Sequence, residues 1–320
     1  MMARVFFKAT EDALNNITKQ FDLVHPLRTS MQYTRNVMTK MAAENPNADD
    51  NYYKAVFDPD NRVHGTGYRD AFLSAPWDEQ EEQLAWLLLN NLFAIHEGWV
   101  DSIFRERFKD KGYNDRKFID RLQTAWEKDH FTLLSEKFTS YYVTPSKRSQ
   151  VLTDAFYNTY KNASGLDFSK IDNYMLMYRY FKAARNSFMH GNCIASQWLV
   201  DRYAEYSAIA TKNDLDVSEV PMIIPPVKNQ KVRLNIRGVI GFSDFMQRIL
   251  IISDITLLQT KAAEDEFIAR KPSRILPTLS TNSSRAKEQI GNVCERAGFL
   301  RPFWSESFQQ FMLTHRFVCR

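Results

Sequence analysis

Arg185, Asn186 and His190 bring a fixed positive charge, an amide and a group that titrates near neutrality into two turns of one helical run, immediately before Gly191. At about 100° per residue, Asn186 and His190 share a face one turn apart, and Arg185 is displaced sideways but long enough to reach back. Side chains so placed can converge on one phosphate. His190 would move protons, Arg185 would neutralise the charge that builds up, and Asn186 would hold the geometry. That equipment suffices to cut RNA without a metal, the substrate's own 2′-hydroxyl attacking the adjacent phosphate. His and Arg in a last helical turn before Gly also describe an ordinary helix C-terminus, favoured by the dipole and a left-handed cap.

A long helix is needed to present these residues, and the run from Ser169 to His190 supplies it. Tyr174, Leu176, Met177, Tyr178, Tyr180, Phe181, Ala183, Ala184, Phe188 and Met189 make it apolar on nearly every side, which predicts burial against several neighbours. The spacing predicts further helices over 78–108, with Asp78 as its cap, and over 114–138, 147–162, 194–211, 242–269, 284–297 and 303–315. Two helical pieces separated by His25-Pro26 precede them within residues 5–45. Only Lys231 to Arg237 alternates at period two, as half of a small hairpin. The expected fold class is therefore all-α, an up-and-down helical bundle with extra helices and at most a small β-hairpin. Turn signals divide the chain into an N-terminal helical appendage (1–76), a helical core carrying the motif (77–270) and a C-terminal helical tail (271–320).

Other residues can support the motif. Asn90, Phe93, Glu97, Val100 and Phe104 form one stripe of the helix over 78–108, and Glu97 is its one carboxylate. Such a group needs a partner, and Glu97 is placed to orient Arg185 or His190 or else to face solvent at the helix edge. His96 beside it is a candidate second acid or base. Lys228, Lys231, Arg233 and Arg237 make a row of cations that can track a phosphate backbone, or a solvated edge that discourages aggregation. His25, His64, His130 and His315 sit in unrelated contexts, and no pair has metal-ligand spacing, so neither a metal nor another cofactor is assigned.

Arg185-Asn186-x-x-x-His190, followed by Gly191 at the end of a long helix, resembles the Arg-x(4–6)-His signature of the HEPN superfamily. The likeness covers that motif and a compatible run of helices over roughly residues 77–262. It implies a helical domain that dimerises so that two copies of the motif meet across a cleft, an acidic or polar residue of an earlier helix beside the motif, and metal-free RNA cleavage. It also implies a toxin or abortive-infection (phage-defence) role, with RNA as substrate, a homodimer, and an antitoxin or defence-system protein as possible partner. Some members have lost catalysis. A non-catalytic module binding RNA, a nucleotide or a protein therefore stands as an alternative, and a helical interaction domain with a merely structural helix terminus as another.

The totals are compatible with this. Forty-two Lys and Arg against 38 Asp and Glu leave a formal charge of +4, which permits nucleic acid without implying it. Hydrophobic residues at 44% exclude a disordered chain, and 10 Gly with 11 Pro favour long helices over sheet. Three widely separated cysteines, Cys193, Cys294 and Cys319, suggest neither a disulfide framework nor a zinc site. Charge interrupts the N-terminus before signal-peptide length, and no apolar run reaches about 18 residues. The expectation is a soluble protein of the reducing cytoplasm, without a membrane partner.

Overall fold

A computed structural model describes residues 4–60, 62, 67–103, 143–272 and 278–319. Among them are twelve α-helices and no strand, so the fold is all-α. They are α1 (Lys8–Glu44), α2 (Asp50–Phe57), α3 (Trp77–Asp101), α4 (Gln150–Leu152), α5 (Asn158–Ser164) and α6 (Ile171–His190). There follow α7 (Gln197–Ser207), α8 (Lys212–Leu215), α9 (Ile236–Leu257), α10 (Lys261–Ala269), α11 (Ser283–Arg296) and α12 (Glu306–Thr314). The helix expected over 114–138 lies outside the described residues, as do Phe104, His64 and His130. No helix among those described is long and apolar enough to cross a membrane.

The motif helix α6 is held by α3, α7 and α9. Phe93 of α3 and Tyr178 of α6 meet Phe242 of α9, and Phe181 stacks on Phe242 with centroids 4.4 Å apart. Trp86 of α3 stacks on Phe188 at 4.6 Å. Tyr180 turns the other way, against Tyr203 and Tyr206 of α7. Apolar residues on nearly every side of α6 thus find neighbours on several sides, leaving the last turn of the helix to emerge.

Core contacts cross the boundaries expected near residues 76 and 270. Val5, Phe6, Phe7, Leu14 and Ile17 belong to the same core as α3, α6 and α9. Phe6 packs on Phe156, Tyr160 and Phe299, and Phe267 of α10 packs on Phe299, Phe308 and Phe317 of the tail. Among the described residues, only the second half of α1, with α2 and a π-helical turn at Asp70–Ser74, makes a cluster of its own around Met38, Ala48 and Tyr53.

The start of α1 is anchored by acids of other helices. The two oxygens of the fully buried Asp254 accept from the backbone N–H groups of Phe6 and Phe7, and Glu266 accepts from that of Lys8. Free N–H groups at a helix start need such acceptors.

Four local expectations are corrected. Residues 8–44 form one helix through Pro26, because contacts on both sides hold it: Val24 is buried before the proline, and Arg28 pairs with Glu81 of α3 after it. Helix α3 starts at Trp77 without a side-chain cap, and Asp78 instead binds Arg233. The 242–269 run is two helices that begin earlier, at Ile236, and break at 258–260, where Ser149 donates to the Gln259 carbonyl and Lys261 to that of Lys147. Finally, Lys231 to Arg237 is no strand: it makes a single antiparallel bridge from Lys231 to Ile194, after which the Asn235 side chain caps α9 by accepting from Arg237 N.

Candidate active site

Arg185 and Asn186 sit half-buried on α6, and His190 is exposed as its last residue. Arg185 Nη1 donates to Asn186 Oδ1 at 3.3 Å, and Arg185 Nη2 lies 3.9 Å from Oε1 of Glu97 on α3. Arg185 Nε is buried and has no hydrogen-bond partner among the described residues. The guanidinium is therefore oriented by an amide and a distant carboxylate, with donor capacity left for an anion.

The helix ends tightly. Ser187 O accepts from both Gly191 N (2.9 Å) and Cys193 N (3.0 Å), and a Cβ on Gly191 would approach that oxygen to 3.1 Å. Asn192 and Cys193 then adopt left-handed conformations, φ 51° and 61°, which Asn tolerates and Cys adopts only under constraint. That constraint comes from the facing segment: Val232 N donates to Cys193 O, Ala195 N to Gln230 O, and Asn229 N to Ala195 O. His190 thus leads into a loop pinned on its far side.

His96 does not join the motif. It is buried between Trp99 and Tyr178, its Nδ1 has no hydrogen-bond partner among the described residues, and burial, aided by the charge of Lys182, pushes its pKa down to about 3. A ring kept neutral and away from water is a core residue, not an acid or base exchanging protons with substrate.

The row of cations is also only partly available. Lys231 lies 3.5 Å from Glu82, and Arg233 pairs with both Glu82 and Asp78 of α3. Glu82 is 1% exposed, a buried carboxylate that the two cations compensate from the rim. Lys228 and Arg237 are exposed and carry no ion pair among the described residues.

Two features escaped the sequence reading. Arg179 and Lys182 are buried on α6, at three-residue steps before Arg185, with Arg179 Nη1 3.3 Å from Glu205 of α7. That spacing was visible in the sequence, but the apolar density of the helix masked it. Asn90, on the α3 stripe, buries an Oδ1 that has no partner among the described residues. No family model, curated protein or solved structure matches the chain.

Proposed function

We propose that this protein is a metal-independent endoribonuclease of HEPN type that cuts RNA by attack of a 2′-hydroxyl on the adjacent phosphate. The 2′-oxygen gives up its proton and bonds to phosphorus, the bond to the 5′-oxygen breaks, and that oxygen takes a proton. The products are a 2′,3′-cyclic phosphate and a 5′-hydroxyl. His190 serves as general base or acid, Arg185 stabilises the pentacovalent transition state, Asn186 positions the phosphate and Glu97 orients Arg185. In a homodimer a second His190 would supply the complementary proton transfer. The biological role that fits this chemistry is that of a toxin or abortive-infection effector acting on cellular RNA, restrained by an antitoxin or another defence protein.

The observation that carries the reading is the contact of Arg185 with Asn186 one turn before an exposed His190, at the emerging end of a helix otherwise buried. The rival reading, a merely structural helix terminus, is favoured by the double acceptance at Ser187 O. The test incubates the unmutated protein, His190→Ala and Arg185→Ala with total cellular RNA and tRNA in EDTA, and maps fragment ends. Cleavage by the unmutated protein alone, leaving cyclic phosphate, is the expected result. Three folded proteins that leave RNA intact would reduce the motif to a binding surface or a helix end.

A further inference from the structure

The rim beyond His190 exposes large apolar side chains where a soluble surface has no need of them. Met189 is 50% exposed, Ile194 44%, Trp198 36% and Val227 52%. They lie close together along connected backbone. Met189 is in the last turn of α6 and Ile194 is bridged to Lys231. Trp198 is in the first turn of α7, just after Ala195, which bonds to Gln230 and Asn229, and Gln230 N donates to Val227 O. Cations are interleaved with them. Lys228 and Arg237 are exposed, and Lys231 is half-exposed beside Glu82; Arg202, whose guanidinium lies 5.9 Å from the Trp198 ring, is held by Glu205 at 2.7 Å.

Resting on the reading of the motif as the site of phosphate chemistry, we propose that this rim is a platform for an unpaired nucleobase. Trp198 is the stacking residue, and the platform confines the substrate to RNA that is single-stranded at the cut. Attack by the 2′-oxygen requires it to lie opposite the departing 5′-oxygen. An A-form duplex does not hold that geometry, so the reacting nucleotide must leave the stack and its base needs a new apolar face. An exposed indole offers that face, and the interleaved cations follow the backbone.

The experiment uses the full chain with His190→Ala, so that RNA survives, and a ten-nucleotide unstructured RNA against the same sequence as duplex. Anisotropy measures affinity, and tryptophan emission reports stacking. Expected are tighter binding and stronger quenching with the single strand, with quenching lost in His190→Ala/Trp198→Ala. That variant should lose affinity about tenfold or more, and Trp198→Phe should retain most of it. Equal binding of single strand and duplex, or an unchanged affinity in the Trp198→Ala variant with its melting temperature preserved, overturns the platform. So does a change in sedimentation caused by Trp198→Ala, which would assign the rim to a second copy. The two readings fail separately: Trp198-dependent stacking without cleavage by the unmutated protein removes the nuclease, and cleavage with a KM indifferent to Trp198→Ala removes the platform.

Discussion

Replacing Asp254 by alanine removes the acceptors for two backbone N–H groups at once, those of Phe6 at 2.6 Å and Phe7 at 3.0 Å, in a site with no exposure. Each orphaned buried donor costs about 1–3 kcal/mol, and partial entry of water offsets some of it, so the loss should be about 3–4 kcal/mol. At about 2 cal/mol/K per residue of unfolding entropy, that lowers the melting temperature by roughly 5 °C. The pH dependence is the sharper test. Burial is the main cause that raises the Asp254 pKa, to about 7, with Glu266 adding to it and the bonds from Thr10, Phe6 and Phe7 opposing it. An unfolded Asp titrates near 3.9. Between those values the folded chain holds the extra proton, so this group's contribution is complete below about pH 4 and is lost as the pH rises through about 7. Asp254→Asn keeps one acceptor and does not titrate. Its deficit against the unmutated protein should therefore be largest at pH 5 and narrow towards pH 8 in matched thermal melts. A deficit that widens with pH would mean that the carboxylate is ionised in the fold and bound as an anion by the start of α1, and the reasoning from burial would be refuted.

Two further perturbations test the ground on which the motif stands. Gly191→Ala should cost about 1 kcal/mol, since its Cβ meets a backbone oxygen of α6 that cannot move without loosening the last turn; an unchanged urea midpoint would show that this turn is already loose. Glu82→Ala should lose about 2–3 kcal/mol and Lys231→Ala less than about 1, because the carboxylate is buried and the lysine half-exposed. Equal losses from the two, read from urea unfolding, would contradict that asymmetry.

The helical class was legible because periodicity is a local property, and α3, α6, α11 and α12 fall close to the expected spans. Where the sequence misled, a distant partner decides. Pro26 and the 258–260 break are settled by Glu81 and by residues 147–149, and the alternation of Lys231 to Arg237 reflects Val232 and Leu234 dipping into the core beside a single bridge. Likewise, nothing near Phe6 and Phe7 announces that Asp254 and Phe299 will receive them. At the site, the separation of Arg185, Asn186 and His190 along one helix could be read from spacing. The sequence offered Glu97 either as a partner of Arg185 or His190 or as a solvent-facing residue, and His96 as a second acid or base; adjacent residues on α3 point about 100° apart, so only the packing of α6 decides that Glu97 approaches Arg185 and His96 withdraws into the core.

The energetics of Arg185 bear directly on whether the motif is a site or a helix end. Its contact with Glu97 is 3.9 Å long, and the side chains are 24% and 30% exposed, so solvent screens the pair and its worth is about 0–1 kcal/mol. The hydrogen bond to Asn186 is intramolecular between adjacent residues and adds little more. A residue kept for stability would be expected to return more than this for leaving its Nε buried without a partner among the described residues. Arg179 one face away shows the contrast: its carboxylate partner is closer and its side chain is 8% exposed. Loss of Arg185 should thus leave the fold nearly intact, and any loss of RNA turnover in Arg185→Ala would report on the chemistry. A large fall in melting temperature with turnover retained would return the motif to the role of a helix terminus.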